Sequence, residues 1–296
     1  MTFTPYLFFN GDVPLSARIY RNTDDPFARQ PAVIITGSWL TVKEQMAHLY
    51  ATSLAAQGFT VFTFDFTGFG TSGGTLRQAE IPSRKIADIT AVARHVASLS
   101  FVRPGAVGYL SVCASAQYAL AAIAAGAPIA SFVSVAGWFH DTASVAPFYG
   151  GPDGIRLRLS RASAAFDAHL STGELRMVPA YEDGNDRAGM FFELDYYASP
   201  GRGAVPEWRN EMAELSWPYW LGFDGLAAAN RVAAPTLFVH GDDCVLPDNV
   251  KLVHSRLAGP KDLLWTAGTQ TDFYDQPAHV SLTTTAAADH FNSTLP

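Results

Sequence analysis

Apolar residues run continuously through positions 32–36, and further apolar-rich runs without a strict polar alternation follow at 59–66, 106–112 and 129–138. That pattern is expected of strands buried on both faces of a parallel sheet. Between the runs lie stretches of helical character: 42–57, closed by Gly58, about 83–99, and an Ala-rich segment that begins directly after position 113. Ahead of them, segments 5–11 and 14–21 flank a polar turn at Asn10-Gly11-Asp12 and predict an antiparallel hairpin, followed by a loop over 22–30.

Strands alternating with helices predict βαβ units, and hence an α/β fold with a mostly parallel, twisted sheet covered by helices on both faces. From about 140 to 230 the rhythm stops. The chain there is aromatic and punctuated by Pro and Gly, with one amphipathic stretch at 155–170 and an aromatic segment at 208–223. The rhythm returns with a strand pattern at 234–243, a helix near 249–257, a strand at 262–268 and a last helix ending near 291. The expected organisation is a core made of 1–139 and 231–296, with a cap inserted over 140–230. No internal repeat or low-complexity segment is present.

Composition sets limits on partners. Hydrophobic residues make up 48% of the 296 positions and charged ones 16%, a globular balance with nothing that reads as disordered. A net charge of −7 with no Lys/Arg run argues against nucleic acid or an anionic membrane as partner. No apolar run approaches the ~20 residues that span a bilayer. The first residues lack a basic segment, an uninterrupted apolar core and a small-residue cleavage site, so the expected compartment is the cytoplasm. The two cysteines, Cys113 and Cys244, are too few for a disulfide framework and not spaced for zinc. Free thiols are expected, and neither a metal nor a cofactor. The expected partner is a small-molecule substrate, and nothing in the pattern excludes a homodimer.

Chemistry concentrates where a buried strand turns abruptly into a helix, at Tyr109-Leu110-Ser111-Val112-Cys113-Ala114-Ser115-Ala116. Such a turn holds one strained side chain at the carboxyl end of its strand and needs small residues two positions to either side. Here both are serine, Ser111 and Ser115, where glycine is usual. A second motif, Asp65-Phe66-Thr67-Gly68-Phe69-Gly70-Thr71-Ser72-Gly73-Gly74, follows an earlier strand. A third, Gly37-Ser38-Trp39, ends the strand at 32–36. The backbone N–H groups near Trp39 and of Ala114 are the expected oxyanion hole.

The segments GSWLTVKEQM (37–46), FDFTGFGTSGG (64–74), RKIADI (84–89), SVAGWFHD (134–141) and TDFYDQP (271–277), together with the turn at Cys113, resemble the dienelactone-hydrolase-like, YcjY-type branch of the α/β-hydrolases. The resemblance covers nearly the whole chain, and some fungal polyketide acyltransferases look like distant members of the same branch. It implies an α/β-hydrolase fold with Cys113 as nucleophile, where most relatives present serine. The resemblance also places the triad carboxylate in His240-Gly241-Asp242-Asp243, where Asp243 fits the spacing better than Asp242.

The triad histidine is the departure. Relatives often read G-x-x-H-x-D-x-Y-D after the last strand, and this chain has Gly268-Thr269-Gln270-Thr271-Asp272-Phe273-Tyr274-Asp275. Gln270 stands at the histidine position, and an amide is no general base near neutral pH. His48, His95, His169, His254 and His290 fall in predicted helices and His240 precedes the acid on its strand, so these read as packing or surface. His279, on a loop that can fold back, and His140, after the strand next to Cys113, are the candidate substitutes.

Aromatic residues cluster at the turn ends and in the 140–230 block. Ser38, Trp138, Phe139, Tyr149, Trp217 and Trp220 are the expected substrate contacts, and they point to a hydrophobic or aromatic, polyketide-like ligand. The functional expectation is acyl transfer through Cys113: hydrolysis of an ester, thioester or lactone, or transfer to an alcohol or amine. Without the histidine, a non-covalent cyclase or lyase and a ligand-binding pseudo-hydrolase stay open beside it.

Overall fold

A computed structural model describes residues 3–25 and 27–296. Positions 1 and 2 of the expected core and position 26 of the expected loop lie outside the described residues. The hairpin forms as β1 (Thr4–Asn10) and β2 (Val13–Tyr20), paired antiparallel. Next come β3 (Gln30–Thr36), α1 (Met46–Ala56), β4 (Thr60–Phe64), α2 (Pro82–Ser98), β5 (Val102–Val112), α3 (Ser115–Ala124) and β6 (Ser131–Val135). Helix α1 starts four residues later than the apolar pattern predicts. The turn before it is held by side chains instead: Gln45 Oε1 accepts from the Val42 N–H at 2.8 Å, and Asp65 Oδ1 accepts from the Lys43 N–H at 2.8 Å.

Between β6 and its sheet neighbour the chain inserts α4 (Thr142–Val145), α5 (Gly151–Thr172), β7 (Met177–Val178), α6 (Asp195–Ala198), β8 (Met212–Ala213) and α7 (Trp217–Leu221). The aromatic 208–223 segment is therefore only partly helical. The core resumes with β9 (Thr236–His240), α8 (Pro247–Arg256), β10 (Lys261–Trp265), α9 (Asp272–Asp275) and α10 (Pro277–Thr294).

Eight strands make one sheet in the order β1-β2-β4-β3-β5-β6-β9-β10, parallel from β4 to β10. The order steps one way from β3 to β4 and back the other way from β4 to β5. Because parallel crossovers are right-handed, α1 and α2 must lie on opposite faces. Helix α3 shares the face of α2, against which it packs, and α10 packs against α1. Strands β4 and β6 are buried at every position, which explains why their sequences fill with apolar residues rather than alternate. Fully buried residues such as Ile34, Phe62 and Leu110 each contribute about 1.5–3 kcal/mol of transfer free energy.

The turn after β4 shows why its glycines are spaced as they are. Gly70 has φ +45°, and a Cβ there would sit 2.1 Å from Asp65 Oδ2. Gly68 has φ +86°, and its Cβ would meet the Leu76 carbonyl at 2.6 Å. The turn thus wraps the buried Asp65 carboxylate, which takes a hydrogen bond from Lys43 Nζ at 2.7 Å. Lys43 also reaches Glu44, which pairs with Arg18. The carboxyl ends of β3, β5, β6, β9 and β10 all open on one side, where ligands bind in open α/β sheets. Among the described residues no helix is long and apolar enough to cross a membrane.

Candidate active site

Cys113 follows β5 directly and has φ +59°, a conformation costly for any residue with a side chain. Three backbone bonds impose it. The Cys113 N–H donates to the Val135 carbonyl at 3.0 Å, and its own carbonyl accepts from Ala116 and Trp138, each at 3.0 Å. The flanking serines fit because their hydroxyls are absorbed locally. Ser115 Oγ donates to the Thr36 carbonyl at 3.1 Å, while Ser111 is fully buried.

The Cys113 sulfur faces the hydroxyls of Ser38 and Tyr274 and the backbone N–H groups of Ala114 and Trp39. Burial pushes the thiol above its ordinary range, and these four donors pull only partly the other way. The resting group is therefore a thiol. Its setting suits an anion that forms during reaction, because two amides already point at one place. The Ser38 N–H is engaged separately, by Met46 Sδ at 3.3 Å.

A chain of hydroxyls surrounds the sulfur. Tyr197 donates to Ser38 Oγ at 2.8 Å, and Ser38 Oγ lies 3.3 Å from the Tyr274 hydroxyl. Gln270 Nε2 donates to that hydroxyl at 3.1 Å and to the Ala136 carbonyl at 2.8 Å, and its Oε1 accepts from the Val245 N–H at 3.1 Å. Burial drives both Tyr197 and Tyr274 well above the ordinary phenol range, so they stay protonated.

These groups open into an inner chamber of about 90 Å³ lined by Ser38, Trp39, Cys113, Ala114, Trp138, Phe148, Tyr149, Met190, Phe192, Leu194, Tyr197, Trp220, Val245, Gln270, Thr271 and Tyr274. Among the described residues, no Lys, Arg, His, Asp or Glu lines it. Trp39 stacks on Trp220 at 4.3 Å between ring centroids, and Trp138 lies 5.7 Å from Trp220. An outer pocket of about 530 Å³ shares Phe148, Phe192, Leu194, Val245, Gln270 and Thr271 with the chamber. Its rim adds Asp243, Asp272, Glu193, Asp195 and an Arg202 tied to Asp275 at 2.6 Å.

Of the expected site residues, the structure brings together Cys113, Ser38, Trp39, Ala114, Gln270, Trp138, Tyr149 and Trp220. Four others need correction. His140 is fully buried behind the aromatic wall: its Nδ1 accepts from Trp138 Nε1 at 2.6 Å and its Nε2 donates to the Trp220 carbonyl at 2.9 Å. Burial lowers it to about 4, so it is a neutral spacer that holds the Trp138 indole and the Trp220 backbone rather than a base. His279 stays on α10, with Nε2 3.1 Å from the Ala267 carbonyl and its ring against Phe273, and does not line the chamber. Phe139 turns into the core against Phe238, and Trp217 forms a second layer behind Trp39 and Tyr149.

Of the two carboxylates after β9, Asp242 points to Lys251 Nζ at 3.3 Å, whereas Asp243 lies exposed on the outer rim that also includes Gln270. Among the described residues, no histidine lines the chamber or the outer pocket for Asp243 to orient. Cys244 is buried and free, its thiol pushed up to about 12, and is not part of the chamber. Sequence reasoning missed Tyr274 and the hydroxyl role of Tyr197. The available signal for Tyr274 was its spacing of four from Gln270, one helical turn.

No family model matches the chain. It is 26% identical to the uncharacterized protein YcjY of Escherichia coli (strain K12), over 97% of this chain and 96% of that protein. It is 25% identical to the polyketide transferase claH of Penicillium crustosum, over 86% of this chain and 85% of that protein. Among solved structures, hypothetical protein PA2218 from Pseudomonas aeruginosa matches with a TM-score of 0.86 at 23% identity, covering 99% of this chain and 94% of that one. The α/β hydrolase GrgF from Penicillium sp. sh18 matches with a TM-score of 0.83 at 17% identity, covering 99% and 98%. The fold is an α/β-hydrolase fold.

Proposed function

We propose that this chain is an acyl-transfer enzyme in which Cys113 takes an acyl group from an ester, thioester or lactone of a neutral hydrophobic or aromatic small molecule. One observation carries the reading: a strained Cys113 whose sulfur shares its site with the N–H groups of Trp39 and Ala114. Attack puts negative charge on the carbonyl oxygen, and two preset amides stabilise it there. The chamber walls, aromatic and free of charged side chains, favour an uncharged acyl group. The polyketide transferase among the relatives supports a polyketide-like substrate.

The segment 140–230 serves as the cap of this site, since Phe148, Tyr149, Met190, Phe192, Leu194, Tyr197 and Trp220 all come from it. With no imidazole lining the chamber to activate it, water deacylates the enzyme slowly, which raises the share of transfer to a bound alcohol or amine. The enzyme works in the cytoplasm, where both thiols stay reduced.

The test is intact mass after incubation with p-nitrophenyl and N-acetylcysteamine acyl esters. One acyl adduct is expected in the wild type and none in Cys113→Ala. No wild-type adduct, or one that survives Cys113→Ala, overturns the covalent reading. That no His, Lys, Asp or Glu lines the chamber among the described residues favours one second reading, a non-covalent cyclisation or lyase step in the same chamber. That reading expects Cys113→Ala to keep its turnover.

A further inference from the structure

We infer that the Tyr274 hydroxyl replaces the missing imidazole as the proton carrier of acyl transfer at Cys113; the inference rests on the covalent reading above. A count of hydrogens around the Tyr274 oxygen leads there. Gln270 is fixed on both sides, by the Ala136 carbonyl and the Val245 N–H, so its Nε2 has a set direction and donates to the Tyr274 oxygen at 3.1 Å. That oxygen is therefore an acceptor in this bond, and the phenolic hydrogen is left to point elsewhere. Ser38 Oγ already accepts from Tyr197 at 2.8 Å. The Cys113 sulfur faces the Tyr274 hydroxyl, which lines the chamber where a leaving group must sit. An amide in the usual histidine position thus does not carry the proton. It orients the group that does.

The exchange balances without any stored charge. As the Cys113 sulfur bonds to the acyl carbon, the thiol proton passes to the Tyr274 oxygen. The phenolic proton passes to the leaving atom, whose bond to the acyl carbon breaks, and the leaving group departs neutral. The second half reverses the roles. An alcohol or amine bonds to the acyl carbon and gives its proton to Tyr274, while the phenolic proton returns to sulfur as the C–S bond breaks. The sum converts an acyl donor and a neutral acceptor into the transferred product and the neutral leaving group. Burial suits a relay of this kind, because a phenol held above its ordinary range exchanges one proton for another without ionising.

The test compares two butyryl donors on full-length protein. p-Nitrophenoxide leaves without a proton, so the thiol proton is lost to solvent without the relay, whereas trifluoroethoxide needs the proton that Tyr274 hands on. Tyr274→Phe is expected to slow Cys113 acylation by the trifluoroethyl ester about 100-fold or more, and by the p-nitrophenyl ester less than about 10-fold. Gln270→Leu, which leaves the phenol in place but unoriented, is expected to show the same donor preference with a smaller loss. Equal losses on both donors, or none, in these variants overturn the role of Tyr274 while leaving Cys113 acylation intact. A wild type that neither donor acylates overturns the covalent reading instead.

Discussion

Gln270 Nε2 donates to the carbonyl oxygen of Ala136 at 2.8 Å, which ties the last turn of the site to the end of the strand beside Cys113. Ala136 itself has φ +42°, so the carbonyl is aimed by a strained residue. The bond fixes an amide at the position where the sequence resemblance leads one to expect a triad histidine. Gln270→His is therefore expected to raise steady-state hydrolysis of p-nitrophenyl butyrate about ten-fold or more, because imidazole can activate water against the acyl-enzyme. No increase in a folded variant would falsify the view that the glutamine limits hydrolysis.

The thiol chemistry follows from burial. Since Cys113 is held above its ordinary range, its alkylation by iodoacetamide is expected to climb with pH up to 9.5 without a plateau at lower pH. Intact mass over a pH series reads the rate. A plateau below pH 7 would mean a thiolate is already present and sinks this account.

Two buried histidines make stability depend on acid. His140 and His240 are each lowered to about 4 from an ordinary 6.5. Below 6.5 the unfolded chain takes up protons that the folded one refuses, so stability is full above that pH and is lost as pH falls toward 4. At pH 5 the loss is about 2 kcal/mol for each. Urea unfolding at pH 7.5 and 5.0 measures it, and His140→Phe should flatten part of the slope. An unchanged slope in that variant counts against the assignment.

A buried ion pair lies under α3. Glu80 accepts from Lys85 Nζ at 2.7 Å and from the Tyr118 hydroxyl at 2.6 Å, with both charged side chains almost wholly buried. Glu80→Gln strands the ammonium and is expected to cost about 3–5 kcal/mol. The double variant Glu80→Leu/Lys85→Met should cost much less. Equal losses in urea midpoint for the two variants contradict a role for charge.

Much of the sheet and the position of Cys113 were legible because both are local. Buried strands declare themselves by apolar-rich runs broken only by small Ser and Thr, and a strand that turns into an Ala-rich helix leaves few places for a nucleophile. The turn after β9 that carries Asp242 and Asp243 was legible for the same reason, though not what those carboxylates do. Tyr197 was not, since its bond to Ser38 joins residues 159 positions apart. Phe139 and Trp217 resembled wall residues in sequence, because wall and second layer differ only in which way a ring turns once the insertion packs. His140 was misread in a similar way: its place in the chain is right for a base, but two bonds to the tryptophan wall use both its nitrogens.

Three of the chain's six tryptophans, Trp39, Trp138 and Trp220, border the chamber, and two of them are stacked. Indole emission responds to the polarity and quenchers next to the ring. The molecule therefore carries its own optical gauge of occupancy. A ligand that displaces water beside this stack changes the intrinsic fluorescence before any bond is made or broken, so affinity for unreactive analogues can be titrated directly.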